Sequence, residues 1–303
     1  MKKSIFRVAI FSSVLAIVSC GGADNNKTTD EVVTEDTALV VDDQAREMPE
    51  GSMSKNGITV YKADLVKEFP DAKLKLVSPK PEDVKGAGKQ TFTYEVKDYE
   101  LAKQTPGADE RHCANSEKGQ HIHFILNNSP YTAHYEPTFD ADLKEGNNVV
   151  LSFLSRSYHE SIKNGDAYTL VNYKVGETTE EFDKGAEHLF YSRPKGTYSG
   201  KDAQKLLLDF YLVNTELGEN GNKVVATIDG NDFILDAWEP YFVEGLGSGE
   251  HTFRIKLIDK DGNLVPGPFN DSGDRVVTLE DVPSKDATAE MQDHNHEDMN
   301  HAH

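Results

Sequence analysis

Residues 119–137 read GQHIHFILNNSPYTAHYEP, and residues 222–240 read NKVVATIDGNDFILDAWEP. Aligned on the Glu-Pro pair that ends each stretch, the two run without a gap, 103 positions apart. Each consists of an apolar strand, a polar turn and a second strand that ends in an aromatic residue, Glu and Pro. This pattern predicts a duplicated β-hairpin, and with it a chain built from two copies of one unit.

Short apolar or alternating runs separated by turn residues continue the pattern on both sides of each hairpin. They lie at 74–77, 91–96, 149–154 and 168–175 in the first copy, and at 188–191, 206–213, 251–258 and 275–279 in the second. Short strands of this kind, without a helical period, indicate an all-β sandwich or barrel, and about 100 residues per copy suits an immunoglobulin-like sandwich. We therefore expect two tandem immunoglobulin-like β-sandwich domains, at 71–178 and 186–281.

The N-terminus has the features of a bacterial lipoprotein signal. Lys2, Lys3 and Arg7 precede an apolar run at 8–18 that is too short to span a bilayer. The Ile-Val-Ser-Cys that follows resembles a lipobox, which implies a signal peptide at 1–19 and acylation of Cys20. Each buried CH2 of an acyl chain contributes about 0.8 kcal/mol, so two or three chains form a stable anchor. The alternative is a plain secretory signal with a chance cysteine at its end.

This signal predicts an outer membrane lipoprotein on the periplasmic or cell-surface face. Its expected partner is the membrane itself, which it would contact through the acyl chains on Cys20. Cleavage would remove three basic residues and no acidic one, which lowers the formal charge from -20 to -23. A chain this acidic repels nucleic acid and anionic lipid surfaces, and we expect neither as a partner. With Cys20 acylated, Cys113 is the one remaining thiol, so no intramolecular disulfide is expected.

Both ends of the mature chain are polar. Residues 20–70 are rich in acidic and small polar side chains and predict a flexible tether, with a possible short helix from Asp64 to Phe69. Residues 282–303 predict a disordered tail that either stays solvated without a metal or collects Zn(II), Ni(II) or Cu(II) through its imidazoles. The tail histidines are His294, His296, His301 and His303.

The first hairpin carries three histidines and the second carries none. Alternate residues of a strand share a face, so His121 and His123 point the same way. A two- or four-residue loop between the strands would place His134 directly across from one of them, and three imidazoles at that spacing suit one Zn or Cu ion. A loop of three or five residues would instead turn His134 to the opposite face.

The alignment of the copies sets His121 and His123 against Val224 and Ala226, which form an apolar face. If both copies orient this strand alike, the histidines lie in the core or along its rim. There they would either bind a metal together or be satisfied by hydrogen bonds without one. Possible fourth metal ligands are Glu136, His159 and Cys113.

Six stretches together resemble a family of Bacteroidota cell-envelope lipoproteins of unassigned function. They are GQHIHFILNN, YTAHYEPTF, VVLSFLSRSYHES, LFYSRPKGTYSG, LLLDFYLVN and DGNLVPGPFN. The resemblance covers about 70–280 and implies tandem sandwich domains and an envelope location. Some members carry the label phosphopeptide-binding, but Arg156 and Arg193 stand alone in these stretches, and phosphate recognition usually needs an arginine cluster or a helix N-terminus.

The sequence contains no nucleophile elbow, phosphate loop or His-Glu-x-x-His motif, so we expect no enzyme. The first functional hypothesis is a lipid-anchored binding module for an envelope protein, peptide or glycan, acting through its loops and through aromatic residues such as Tyr158, Tyr198 and Tyr241. The alternative is a Zn- or Cu-binding lipoprotein with His121, His123 and His134 as its core and the tail as an auxiliary collector.

Overall fold

The computed structural model describes residues 48–64, 69–179 and 181–282, and strands dominate all three ranges. In chain order the strands are β1 Met53–Lys55, β2 Ile58–Lys62, β3 Lys73–Ser78, β4 Gly88–Lys97, β5 His121–Leu126, β6 Thr132–His134, β7 Thr138–Leu143, β8 Gly146–Ser155, β9 Tyr168–Val175, β10 His188–Arg193, β11 Gly196–Ser199, β12 Lys205–Val213, β13 Lys223–Ile228, β14 Asn231–Leu235, β15 Tyr241–Glu244, β16 Gly249–Ile258 and β17 Arg275–Glu280. Short 3₁₀ turns occupy Pro81–Asp83, Ala108–Arg111 and Gly200–Ala203.

The first sandwich packs a three-stranded sheet, β3-β4-β7, against a four-stranded sheet, β6-β5-β8-β9. Alternation along the strands supplies its core, because every second side chain of a strand points inward. Phe92 on β4, Ile122 and Phe124 on β5, and Leu154 on β8 meet there, all of them buried. Edge-to-face contact between the rings of Phe92 and Phe124, with centroids 4.9 Å apart, fixes the spacing of the two sheets.

The second sandwich repeats the same order of strands. Its sheets contain β10-β12-β15 and β14-β13-β16-β17, which correspond one for one to β3-β4-β7 and β6-β5-β8-β9. The first strand of each copy carries one bulge in its pairing with the second. The expectation of two immunoglobulin-like β-sandwiches is therefore confirmed. In this copy β11 adds a parallel edge strand beside β17.

The structure corrects the predicted tether, because the segment 53–62 forms two strands of the second sandwich. A two-residue turn at Asn56-Gly57, both with positive φ, joins β1 to β2, and β2 pairs antiparallel with β15. Ile58 and Val60 alternate with polar residues and point into the core of the second sandwich, so this stretch has the composition of a half-buried strand and not of a tether. The predicted helix at Asp64–Phe69 lies largely outside the described residues.

The two sandwiches pack sheet against sheet. The outer face of β5 and β8 contacts the outer face of β10 and β12, and an apolar cluster fills the interface. Two of its members, Phe153 on β8 and Tyr211 on β12, stack with ring centroids 4.7 Å apart. The outer face of β5 is therefore buried as fully as the inner one, and polar residues on it need partners within the interface.

Candidate metal centre

His121 and His123 lie on the outer face of β5, toward the second sandwich. Both are completely buried, while Ile122 and Phe124 on the same strand face the core of the first sandwich. In the second copy the corresponding core positions on β13 are Val224 and Ala226. The gapless alignment is therefore out by one residue at this strand, and the expectation that the histidines point toward their own core is wrong.

His134 does not join them. β5 ends at Leu126 and β6 begins at Thr132, so five residues connect the strands, and the register places His134 opposite Ile122. Its ring stacks on Phe139 with centroids 3.4 Å apart, on the core side of the sheet. An odd number of loop residues pairs even-numbered positions with even-numbered ones, which sets His134 across from Ile122 and away from His121 and His123. The predicted set of His121, His123 and His134 is thus corrected.

His159, predicted only as a possible fourth ligand, takes the place assigned to His134. β8 ends at Ser155, and the chain turns back through a loop in which the His159 amide donates to the Arg156 carbonyl at 2.9 Å. His159 has a φ of 71°, in the left-handed region, which turns its side chain over the start of β5. The donor atoms of His121, His123 and His159 all lie within 4.8 Å of one another.

The hydrogen bonds define the state of the central imidazole. Nδ1–H of His121 donates to the Gly119 carbonyl at 2.8 Å, and since a carbonyl only accepts, Nε2 of His121 carries a lone pair. This one lone pair faces two nitrogens, Nε2 of His123 at 2.9 Å and Nδ1 of His159 at 3.0 Å. A neutral imidazole nitrogen accepts one linear hydrogen bond. If His123 donates to this lone pair, Nδ1 of His159 can accept a hydrogen bond from the Tyr131 hydroxyl at 3.2 Å, but its own lone pair then faces that of His121 at 3.0 Å.

A metal ion among the three nitrogens would satisfy all of them. Zn–N bonds of about 2.0–2.1 Å in tetrahedral geometry place the ligand nitrogens about 3.3 Å apart, close to the two short separations here. Outer partners orient the rings: the Gly119 carbonyl holds His121, and the Ser192 hydroxyl lies 3.3 Å from Nδ1 of His123. In metal sites, the ring nitrogen that does not bind the metal is usually held by a hydrogen-bond partner of this kind.

Gly119 is required for this geometry. It has a φ of 85°, and a Cβ there would lie 2.6 Å from the backbone of Lys103. The neighbouring Gln120 amide donates to the Lys103 carbonyl at 2.7 Å, which fixes the approach of the two segments. A side chain at position 119 would displace the carbonyl that sets the tautomer of His121.

Burial keeps the imidazoles neutral. It lowers the pKa of His121 to about 4 and holds the pKa values of His123 and His159 well below the usual range of histidine, with nearby positive charge as a secondary cause. Neutral imidazole is the form that binds a metal ion. The site is thus in its ligating state at neutral pH without losing protons.

Two cations flank the cluster through Tyr131. Its ring stacks on His123 with centroids 3.5 Å apart, and its hydroxyl lies 3.2 Å from Nδ1 of His159. Nε–H of Arg193 donates to that hydroxyl at 3.0 Å, and the Lys195 ammonium lies 3.9 Å from the centre of the Tyr131 ring. The surroundings of the three histidines are therefore positively charged.

The other predicted fourth ligands lie elsewhere. Glu136 is exposed, and Cys113 is buried in a separate apolar cluster with Tyr158 and Phe242. The aromatic residues proposed for ligand contact are also unavailable, because Tyr158, Tyr198 and Tyr241 are between 1% and 6% exposed. The structure therefore corrects both sets: these residues belong to packing. Cys20, most of the predicted tether and the tail histidines His294, His296, His301 and His303 fall outside the described residues.

Tyr131 and Arg193 are not among the predicted site residues: the sequence suggested Tyr131 only as a hydrogen-bond partner of the histidines and Arg193 only as a phosphate contact. The missing information about His134 was the loop length, since the five residues between β5 and β6 set it opposite Ile122 and off the histidine face. No sequence pattern around Arg193 indicated a role at this site. Arg193 belongs to a strand of the second sandwich and reaches the site only through the packing of the two domains.

No family model matches the sequence, and no curated protein matches it either. Among solved structures, the chain is similar to the fibronectin(III)-like modules of Clostridium thermocellum CbhA, at 12% identity over 69% of this chain and 94% of that one, with a TM-score of 0.23. It is similar to the FN1-FN3 domains of chicken CNTN1, at 9% identity over 70% and 67% of the two chains, with a TM-score of 0.23.

A third similarity is to SGBP-B of the Bacteroides ovatus mixed-linkage glucan utilization locus, at 12% identity over 68% of this chain and 47% of that one, with a TM-score of 0.19. Because these TM-scores are low, the fold is assigned from the strand pairings and not from these similarities. Those pairings define two immunoglobulin-like sandwiches, with a buried cluster of three histidines where they meet.

Proposed function

We propose that this protein is a metal-binding module that holds one Zn or Cu ion through His121, His123 and His159. The observation that carries the proposal is the single lone pair on Nε2 of His121, which faces two other imidazole nitrogens at 2.9 and 3.0 Å. A bound cation would replace the unfavourable approach of these nitrogens with three metal–nitrogen bonds. The outer hydrogen bonds from Gly119 and Ser192 support the same assignment.

Binding, and not catalysis, is the role we assign to the site. His121 and His123 have no exposed surface, so an ion held between them is shielded from anything larger than a small ligand. A catalytic zinc ion needs an open position that a substrate can reach. The burial therefore favours storage, transport or structural use of the ion.

We place this function at the cell envelope. The support is the sequence of the N-terminus, in which Cys20 follows a signal-like apolar run. No helix in the described part of the chain has the length and apolar character to cross a membrane. Acylation at Cys20 would then be the means by which the protein is held at the bilayer.

The first prediction concerns metal content. The full-length protein, purified in detergent without an affinity tag, should bind about one equivalent of Zn(II) or copper and should melt at a higher temperature when metal is added, because an ion that binds only the folded state stabilises it. To remove the contribution of the tail, the measurement uses a parent in which its histidines are replaced by glutamine, at His294, His296, His301 and His303.

His121→Ala and His159→Ala should each abolish the bound metal and the thermal shift, whereas His134→Ala should keep both. Metal analysis of the purified proteins and differential scanning calorimetry provide the two readouts. Retention of metal in His159→Ala, or its loss in His134→Ala, would contradict the assignment. An absence of metal from the parent itself would remove the proposed function.

A further inference from the structure

The charges around the three histidines carry information about the ion they suit. Among the described residues, no carboxylate or thiolate joins the cluster. The nearby buried carboxylates are already paired: Glu160 with Arg156 at 3.3 Å, and Asp209 with Lys163 at 2.6 Å. The three converging side chains are thus all neutral imidazoles, and they contribute no negative charge to offset that of a cation.

Arg193 adds an unbalanced positive charge beside the site. It is 7% exposed, and its hydrogen bonds go to two tyrosine hydroxyls, Tyr131 at 3.0 Å and Tyr198 at 2.6 Å. No ion pair joins it to a carboxylate within the ranges that the structure covers. Repulsion between Arg193 and a bound ion grows in proportion to the charge of the ion, and burial strengthens it because the local dielectric is low.

The number of ligands points the same way. Zinc in protein sites is almost always four-coordinate, and it commonly has an anionic ligand or a water molecule in addition to imidazoles. Three nitrogen atoms on two completely buried side chains and one partly buried side chain converge here, and within the described ranges no further His, Cys, Asp or Glu joins them. Monovalent copper, in contrast, is stable with two or three donors and needs no anionic ligand.

We propose that the site is selective for monovalent copper, Cu(I), over divalent ions. This inference rests on the proposed function, and it specifies the charge and the coordination number of the ion. A monovalent ion places one unit of charge beside Arg193 where Zn(II) or Cu(II) places two. Three imidazoles complete its coordination, and the ion is held away from solvent between the two sandwiches.

The test is a competition experiment on the full-length protein with the tail histidines replaced. Under anaerobic, reducing conditions, a chromophoric Cu(I) chelator reports the Cu(I) affinity, and a zinc indicator reports the Zn(II) affinity in parallel. We expect Cu(I) to bind the wild-type site more tightly than Zn(II). We also expect loss of Cu(I) binding in His121→Ala and His159→Ala, as for the proposed site.

The Arg193→Met substitution removes a positive charge beside the site but none of the three proposed ligands. Because Coulomb energy scales with the charge of the ion, this substitution should strengthen Zn(II) binding by about twice as many powers of ten as it strengthens Cu(I) binding. Lys195→Met, at a half-buried position, should shift the affinities in the same direction by less and is the variant to use if Arg193→Met does not fold. Arg254→Met removes a paired arginine of the second sandwich and should leave both affinities unchanged.

Each outcome decides a different claim. Tighter binding of Zn(II) than of Cu(I), or equal gains for the two ions in Arg193→Met and in Lys195→Met, would overturn the selectivity and leave the proposed metal function intact. Failure of both ions to bind the wild-type protein would remove the function itself. Cu(I) binding that survives replacement of His121 and His159 would place the ion elsewhere in the chain.

Discussion

At the scale of single residues, burial determines which groups in this protein are reactive. The three imidazoles of the proposed metal site are kept neutral by burial, and burial also keeps the thiol of Cys113 protonated. Cys113 packs among Tyr61, Leu207 and Phe242 and is 7% exposed. Apolar surroundings disfavour the thiolate, which is the form that reacts with oxidants and alkylating agents.

A prediction at this scale concerns that thiol. Burial raises the pKa of Cys113 to about 11, so at pH 8 about one molecule in a thousand carries the thiolate. Iodoacetamide should therefore modify the native protein very slowly and the urea-unfolded protein at the rate of a free cysteine, as followed by mass spectrometry. Rapid modification of the folded protein would show that the packing around Cys113 opens readily.

The sequence identified two of the three histidines of the proposed metal site because the His-x-His spacing on a strand is local information. The prediction of His134 as the third histidine depended on the length of the loop between β5 and β6. A change of one residue in that length moves the side chain to the opposite face of the sheet. His159 approaches from a loop that follows a different strand, and Arg193 from the other domain. Contacts of this kind arise from tertiary packing, which no local pattern encodes.

At the scale of elements, the hairpin formed by β1 and β2 shows that the second sandwich is discontinuous in sequence. Asn56-Gly57 supplies the two residues with positive φ that a tight hairpin of this type requires. An Asn-Gly pair followed by alternating β-branched residues is a strong hairpin signal, yet the acidic composition of the preceding residues outweighed it in the prediction of a tether. The average composition of the predicted tether, about fifty residues long, therefore concealed the five-residue strand β2 within it.

Val60 provides a test of this hairpin. Its side chain is completely buried in the core of the second sandwich, so Val60→Ala should lower the free energy of unfolding by about 2 kcal/mol, from lost burial and the cavity left behind. Val276→Ala is the matched control: Val276 is 58% exposed on β17, and its replacement should change stability by less than about 0.5 kcal/mol. Equal effects in urea denaturation would mean that residues 53–62 do not belong to the sandwich in solution.

At the scale of the whole molecule, the first sandwich is inserted between β2 and β10 of the second. The chain therefore passes between the domains twice, at 63–72 and at 176–187, and the interface itself contains a buried ion pair. Asp209 on β12 has no exposed surface and accepts hydrogen bonds from Ser161 and from Lys163 of the first sandwich. This carboxylate thus couples the two domains.

Removal of the carboxylate should uncouple them. Asp209→Ala leaves the Lys163 ammonium buried without its partner, and we expect a loss of about 3 kcal/mol in the free energy of unfolding. Asp209→Asn, which retains an acceptor for Ser161, should lose less. Glu181→Ala breaks an exposed pair with Lys174 and should change stability by at most about 1 kcal/mol, so denaturation curves that rank the three variants otherwise would contradict this role of the interface.

The insertion also determines how a mechanical load would reach the metal centre. If the protein is held at a membrane through its N-terminus, a pull on the segment preceding Met53 acts first on β1 and β2, whose backbone hydrogen bonds link them to each other and to β15. These strands belong to the second sandwich, whereas His121, His123 and His159 all belong to the first. Such a load would therefore act first on a strand pairing away from the three imidazoles, and an ion bound there would stay in place while the protein is pulled.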